Sequence, residues 1–310
     1  MTTLVTGAAG LLGSAIVRKL KEQGEKVVGT VHNLTTDKVF GFMCDLRKEH
    51  DCELVVKNVD YVIHCAAVIS GAGIIAKTPL VHVTPNVIMN TNILEAAYKA
   101  KIKKFVFFGS TTSYPPSGDR PVAESEAFDG DPDDRYFAVG WVKRYGEKLC
   151  QLYSEKITPR MPCIVLRPSN MYGPNDNYNL ETCHVTPALI RKIAEHQNPI
   201  EVWGDGSEIR DLVYVDDMAD ATLLALEKME HYDPINVGLG KGYSVKEILG
   251  ILMEIEGFSP EIKYNRERPT MINKRYVDVS KAQAVLGFKA KTSLEEGLKK
   301  TLAWYKREGV

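Results

Sequence analysis

Near its start the chain carries residues whose types and spacing could hold a dinucleotide. The short apolar, β-prone run Leu4-Val5-Thr6 enters Gly7-Ala8-Ala9-Gly10-Leu11-Leu12-Gly13, and a helical run follows from Ser14 to Gln23. Glycines allow a tight bend and close backbone approach. The N-terminus of the following helix offers N–H groups and the positive end of its dipole to a pyrophosphate. Gly7, Gly10, Leu11, Leu12 and Gly13 are therefore the first candidate cofactor contacts. Such a turn alone is a common connection, but strand, turn and helix occur here in the order that binding requires. A second candidate is Lys143, in the helix-like segment Phe137-Ala-Val-Gly-Trp-Val-Lys-Arg-Tyr-Gly-Glu147. Val139 precedes it by four residues and so shares its helical face.

These residues need a frame, and the first half of the chain reads as one. Apolar β-prone runs at Lys26–Val31, Asp60–Cys65, Lys104–Gly109 and Cys163–Pro168 are separated by helical patterns, among them Val87–Ala100 and Phe137–Tyr153. Alternation of this kind predicts an α/β fold, a Rossmann-type doubly wound parallel sheet with crossover helices. After residue 170 Pro, Asn and Gly cluster around 174–179, 198–206 and 257–273. The expected organisation is a dinucleotide-binding domain over 1–170 and, over 171–310, a smaller substrate-binding lobe interleaved with it.

Composition narrows the function classes. The chain has 310 residues, 44% of them hydrophobic, enough for a large core and one full α/β domain with a smaller lobe. A net charge of −1 gives no broad pull toward nucleic acid or an anionic membrane. The six cysteines form no Cys-x-x-Cys pair and no metal spacing, so free thiols in a reducing, cytoplasmic setting and no metal are expected. No apolar run reaches the 18 or so residues of a membrane span.

Longer motifs carry a resemblance. Arg167-Pro-Ser-Asn170-Met-Tyr172-Gly-Pro-Asn-Asp-Asn177, Cys183-His184-Val-Thr-Pro-Ala-Leu-Ile-Arg191-Lys192 and Val202-Trp203-Gly-Asp-Gly-Ser-Glu-Ile-Arg210-Asp-Leu-Val-Tyr-Val-Asp216-Asp217 are composite patterns. With His64-Cys-Ala-Ala-Val and Leu294-Glu-Glu-Gly-Leu they span nearly the whole chain. The chain resembles the extended short-chain dehydrogenases/reductases, the NAD-dependent epimerase/dehydratase family, and within it the GDP-fucose synthases. The resemblance implies a nicotinamide cofactor, a GDP-linked sugar substrate and a homodimer paired through the helices near Val87–Ala100 and Phe137–Tyr153. It implies that Ser110 meets the sugar oxygen at carbon 4, that Lys143 holds the cofactor ribose, and that Asp45-Leu46 contacts the adenine. Ala66 and Ala67 then line the cofactor. Asn170 lies near the sugar, Trp203 is a further substrate-binding candidate, and Arg191, Lys192 and Arg210 hold the nucleotide diphosphate. Guanidinium groups suit that task through forked bonds to phosphate oxygens.

Two departures from the family pattern bear on chemistry. The family has a tyrosine four residues before the lysine, which relays the hydroxyl proton during hydride transfer; this chain has Val139, and valine carries no proton. GDP-fucose synthases also invert two carbons with a cysteine and a histidine. The histidine position is His184, but the cysteine position is Thr112, whose hydroxyl pKa is too high for that role. Ser110 with water, Thr111, Thr112 or His184 are the candidates for carrying the proton, and Tyr136 and Tyr145 lack the four-residue spacing. Cofactor choice rests on Val28–Asn33, which ends without an Asp or Glu for the ribose of NAD and without an Arg or Lys for the extra phosphate of NADP. His32 is a weak phosphate candidate, so NAD is slightly favoured over NADP. The expected activity is oxidation or reduction at carbon 4 of a GDP-linked hexose or heptose without epimerisation, in nucleotide-sugar biosynthesis. The alternatives are a related epimerase or dehydratase and a non-catalytic cofactor or sugar-nucleotide binder.

Overall fold

A computed structural model of the chain describes residues 1–32 and 41–308. Asn33, at the end of the expected second strand, lies outside them. The main sheet is built from β1 (Thr2–Thr6), β2 (Lys26–Val31), β3 (Phe42–Met43), β4 (Tyr61–His64), β5 (Lys104–Phe108) and β6 (Cys163–Pro168). A late strand, Ile235–Val237, completes it. The seven strands lie in the order Ile235–Val237, β6, β5, β4, β1, β2, β3, and every pairing is parallel. Strand order reverses between β1 and β4, and in open parallel sheets that reversal opens a crevice at the carboxyl ends of the strands.

Both faces of the sheet are covered, which is why its strands are continuous apolar runs. On one face α1 (Leu11–Glu22) contributes Leu12, Ile16 and Leu20 to a core shared with Val5, Val106 and Ile164. On the other lie α2 (Glu49–Val55), α4 (Leu80–Lys99) and α5 (Phe137–Gln151), with the short α3 (Ala72–Lys77) between α2 and α4 in the chain burying no residue of its own. From this group Val55, Met89, Ile93 and Cys150 pack on Leu4, Val62, Phe105 and Phe107. Each fully buried aliphatic or aromatic side chain of this kind stabilises the fold by about 1.5–3 kcal/mol.

Helix α4 begins seven residues before its expected start at Val87, because Pro85 and the β-branched residues around it hide the first turns in the sequence. Pro85 has no N–H to offer one turn back. A tertiary tie steadies the segment: the Asn86 side-chain amide donates to His82 O at 2.6 Å and Val68 O at 2.9 Å, and its oxygen accepts from Val68 N at 2.9 Å.

The second half alternates between the two bodies. Strand β7 (Asn170–Tyr172), α6 (Val185–Ala194), β8 (Ile200–Trp203) and β9 (Ile209–Tyr214) open the lobe, and α7 (Val215–Lys228) then returns to the first domain, with Met218, Ala219, Ala221 and Ala225 in the core beside α1. The late strand of the main sheet is β10. After it come β11 (Gly242–Ser244), α8 (Val245–Glu256), β12 (Ile262–Asn265), β13 (Lys274–Arg275) and α9 (Leu294–Glu308). Strand β9 pairs with β7, β11 and β13, while β8 pairs with β12. Helices α6, α8 and α9 bury Leu189, Leu249 and Leu298 against Tyr172 and Tyr214 in a separate core. The chain thus returns to the main sheet and its core beyond residue 170. Among the described residues no helix is long and apolar enough to cross a membrane.

Candidate active site

The cofactor end of the crevice is made of backbone. Gly7 takes φ +64°, and a Cβ there would stand 2.9 Å from the Ala66 backbone. A Cβ on Gly13 would stand 2.2 Å from Gly7 O, so α1 crosses the turn at a distance only glycine permits. Gly10 caps α1 without any side-chain bond to the helix N-terminus, and the first turn holds no acidic residue. Gly10 is exposed and Leu11 half-buried, so the helix end faces the crevice, while Leu12 anchors it from the core.

The neighbouring strand end is tied by side chains. Thr6 Oγ1 lies 2.8 Å from His64 Nδ1 and accepts Ala66 N–H at 3.1 Å, and His64 Nε2 lies 3.0 Å from Asn90 Oδ1. Burial lowers the His64 pKa to about 4, so the imidazole is neutral. This tie holds Ala66 at the strand end, with Ala67 next to it in the chain. The motif suggested these residues, but the polar network behind them was not visible in sequence.

At the sheet edge Leu46 is buried, and Asp45 receives a fork from Arg47, Nε to Oδ1 at 2.7 Å and Nη2 to Oδ2 at 2.7 Å. That pairing draws the Asp45 pKa to about 2, with a lesser contribution from the nearby His32. Arg47 is a cation at this edge that the reading of Val28–Asn33 did not consider. The structure leaves His32 exposed.

The reacting end converges on α5. Lys143 Nζ donates to Phe108 O at 2.8 Å, and burial pushes its pKa down to about 8, partly offset by Glu147 one turn later. Glu147 itself is fully buried in a forked pair with Arg167, at 2.6 Å from Nη2 to Oε2 and 3.0 Å from Nε to Oε1. Arg167 also donates to Tyr114 Oη at 3.0 Å and to Glu124 O at 2.8 Å. This network lies directly behind the serine loop: a Cβ on Gly109 would stand 2.4 Å from Glu147 Oε1. The spacing of Glu147 four residues after Lys143 was a usable signal; Arg167 as its partner was not.

Ser110 follows Gly109 and caps the short turn Thr111–Ser113. Its Oγ accepts Thr112 N–H at 3.1 Å and the Thr112 hydroxyl at 3.0 Å. Thr111 is buried, whereas Ser110, Thr112 and Val139 are half-buried. A Cβ on Gly140 would meet Thr112 O at 2.5 Å, so this turn sits on the first turn of α5 beside Val139. Tyr136 is the residue preceding α5, and its phenol pKa is raised by burial against the opposing charges of Arg210 and Arg275.

The sugar-nucleotide candidates lie across the cleft. His184 precedes α6 as an exposed residue; desolvation by the protein packed around its imidazole lowers its pKa, and repulsion from His82 adds to the effect. The preceding residues are pinned to the first domain, where Gly71 N donates to Thr182 O at 2.8 Å. Asn170 is exposed and donates to Asp211 O at 3.1 Å. Arg191 pairs with Glu195 at 2.9 Å and donates to Tyr178 O at 3.0 Å, while Lys192 donates to Glu201 O at 2.7 Å. Arg191, with residues 176–181, lines a cavity of about 690 Å³, within the range of small-molecule sites. Asp176 in its wall has a pKa pushed up to about 7 by burial. Trp203 is half-buried under the Arg268 guanidinium, 5.2 Å from the ring centroid. Arg210 is buried and donates to Ile209 O at 2.9 Å. Arg191 and Lys192 therefore share the lobe with Trp203 and Arg210, each already carrying a protein bond. Among the described residues no group of His, Cys, Asp and Glu forms a metal site.

A nicotinamide dinucleotide fits the first region on structural grounds: a helix N-terminus without a side-chain cap, glycines that permit close approach, and a buried ammonium hydrogen-bonded to a carbonyl. Comparison with known proteins agrees with this. Residues 3–238 match the NAD dependent epimerase/dehydratase family. GDP-L-fucose synthase 1 of Arabidopsis thaliana is 34% identical over 97% of this chain and 92% of its own. A GDP-6-OMe-4-keto-L-xylo-heptose reductase from C. jejuni superposes with a TM-score of 0.88 at 25% identity, covering 99% of this chain and 98% of that one. The UDP-glucose 4-epimerase of Thermotoga maritima, solved with UDP-glucose, gives 0.87 at 29% identity and covers 100% of both chains. The chain belongs to the NAD dependent epimerase/dehydratase family.

Proposed function

We propose that the protein is an NAD(P)-dependent oxidoreductase that moves hydride to or from carbon 4 of a GDP-linked hexose or heptose and does not epimerise the sugar. One observation carries the reading. The glycine turn permits close approach and Lys143 bonds Phe108 O two residues before Ser110, and the family resemblance implies that Val139 and Thr112 take the positions of its phenol and thiol. Proximity and orientation supply a large part of hydride-transfer catalysis, so a frame that still positions cofactor and sugar sustains slow transfer without the phenol. Inversion beside a carbonyl needs an acid and a base, and Thr112 supplies neither role at neutral pH.

When bound, the cofactor accepts or delivers the hydride. Among the protein's groups, the α1 N-terminus would meet its pyrophosphate, Lys143 its ribose, and Asp45 with Leu46 its adenine. NAD is favoured over NADP because the Arg47 fork is already taken up by Asp45. Arg191, Lys192 and Arg210 would hold the nucleotide diphosphate, Asn170 the sugar, and Trp203 another part of the substrate. Guanine as the base is supported by relatives named for GDP-linked sugars. The UDP-glucose 4-epimerase likeness supports a second reading, a UDP-sugar epimerase that returns hydride to the opposite face.

A homodimer fits the surface. Helices α4 and α5 lie side by side, joined by a 3.2 Å contact between Thr91 Oγ1 and Tyr145 Oη, and expose Val81, Ile88, Trp141 and Tyr145. Two such pairs would bury one another as a four-helix bundle and give a dimer; the six free cysteines suit a cytoplasmic setting.

Incubation with GDP- and UDP-linked sugars, with absorbance of the reduced cofactor followed over time, tests the assignment. The expected result is cofactor reduction or oxidation with a GDP-linked sugar and retention of configuration at the neighbouring carbons. Net interconversion of UDP-glucose and UDP-galactose would establish the epimerase instead.

A further inference from the structure

We propose that Thr112 and Ser110 form a two-hydroxyl relay that supplies the proton at carbon 4 in place of the absent phenol; the inference rests on the carbon-4 oxidoreductase reading above. A serine hydroxyl has two acceptor lone pairs and one hydrogen. On Ser110 both lone pairs are used by Thr112, one by its amide at 3.1 Å and one by its hydroxyl at 3.0 Å. The remaining Ser110 hydrogen must therefore point away from Thr112, and Ser110 acts outward as a donor.

The pair is held in place from two sides. Backbone geometry fixes the amide contact, because Ser110 caps the turn Thr111–Ser113. Close approach of Thr112 O to Gly140 seats the turn on α5 next to Val139. Phe108, two residues before Ser110, carries the carbonyl that receives Lys143. The two hydroxyls thus border the place on α5 where Val139 leaves no proton carrier, and Thr112 is open enough for water to reach it.

The step balances. In the reducing direction hydride from reduced nicotinamide forms the new C–H bond as the carbonyl π bond opens onto the oxygen. That oxygen takes the Ser110 hydrogen, Ser110 takes the Thr112 hydrogen, and Thr112 is reprotonated from water. Oxidation runs the same path backward. Each protein oxygen gains a proton as it loses one, so neither has to exist as a free alkoxide, which their high pKa values would forbid. Ser110 is the catalytic residue in this scheme, and Thr112 is a positioning residue that acts through it.

Single-turnover hydride transfer in the cofactor-loaded protein, measured in H₂O and D₂O, tests the relay. Thr112→Val keeps shape and the amide bond but removes the hydroxyl. It should slow transfer by about 10²-fold, within the usual worth of general acid–base assistance, with GDP-sugar affinity unchanged and the solvent isotope effect altered. Thr112→Ser should retain most of the rate, and adding Val139→Tyr to Thr112→Val should restore transfer by supplying a phenol one turn before Lys143. Full-rate Thr112→Val, or Thr112→Ser as slow as the valine variant, overturns the relay and leaves the carbon-4 assignment standing. Wild-type protein that binds sugar nucleotides yet transfers no hydride overturns both.

Discussion

The two ends of the crevice are built from different materials. At the Gly7–Gly13 turn the site is backbone, and its shape depends on atoms that are absent: a methyl group on Gly13 would stand 2.2 Å from Gly7 O. Around Ser110, Thr112, Val139 and Lys143 the site is side chain, mounted on a turn and a helix that other residues hold in place. Change at Gly7 or Gly13 disturbs the turn itself. Change at the second, such as a valine in place of a phenol or a hydroxyl in place of a thiol, can leave the scaffold as it was, and the departures proposed at Val139 and Thr112 lie there.

Breaking the support of the side-chain end should have the largest effect. Glu147 and Arg167 are both buried, and their forked pair stands behind Gly109 and one turn from Lys143. Removing one partner of a buried pair leaves an uncompensated charge and costs on the order of 3–5 kcal/mol. Glu147→Ala should therefore lower the melting temperature by roughly 10 °C, taking about 2–4 °C per kcal/mol for a chain of this size. A melt within a degree or so of wild type would mean that the serine turn is held by something other than this pair.

Two glycines sharpen the contrast at the backbone end. Gly13→Val meets Gly7 O and should cost about 1–3 kcal/mol as an overpacked contact. Gly10→Val meets only that same oxygen, at 3.4 Å for its Cβ, and should change stability by less than about 1 kcal/mol. Its branched side chain would instead stand over the exposed helix end and abolish cofactor binding. Thermal melts and cofactor titrations of both variants separate fold from function here. Normal cofactor affinity in Gly10→Val would remove the pyrophosphate from this turn.

How much could be read from sequence follows the same division. Strands β1, β2, β5 and β6 and the helices α1 and α5 were legible to within a few residues, because each is a local pattern of apolar spacing or glycine placement. The start of α4 was hidden by Pro85, since a tie from Asn86 to the distant Val68 steadies what local propensity argues against. The return of α7 and β10 to the first body follows from pairing with α1 and β6, which no local pattern announces. At the site, Ser110, Thr112 and Lys143 could be named from their motifs. The hydrogen bonds that give Ser110 its direction, and the Thr6–His64–Asn90 tie behind Ala66, exist only once the chain is folded.

The smallest effect expected lies where the two ends meet, at Lys143, and concerns protons rather than stability. In the free protein burial draws its pKa down to about 8, against an ordinary value of 10.5. Donation of its ammonium to the cofactor ribose favours the charged form, so binding raises that pKa again. Below about pH 8 the group is protonated in both states, and affinity is independent of this lysine. Above pH 8 the free protein has lost the proton and binding must recover it. Cofactor affinity should then fall with rising pH, by at most about tenfold per unit, and binding should take up close to one proton at pH 9. Calorimetric titration at that pH in two buffers of different ionisation enthalpy measures the uptake directly. Lys143→Arg stays charged throughout this range, so any cofactor it binds should arrive without proton uptake. Equal uptake in both proteins would place the titrating group elsewhere and would separate Lys143 from the ribose, breaking the link between the backbone end of the crevice and its side-chain end.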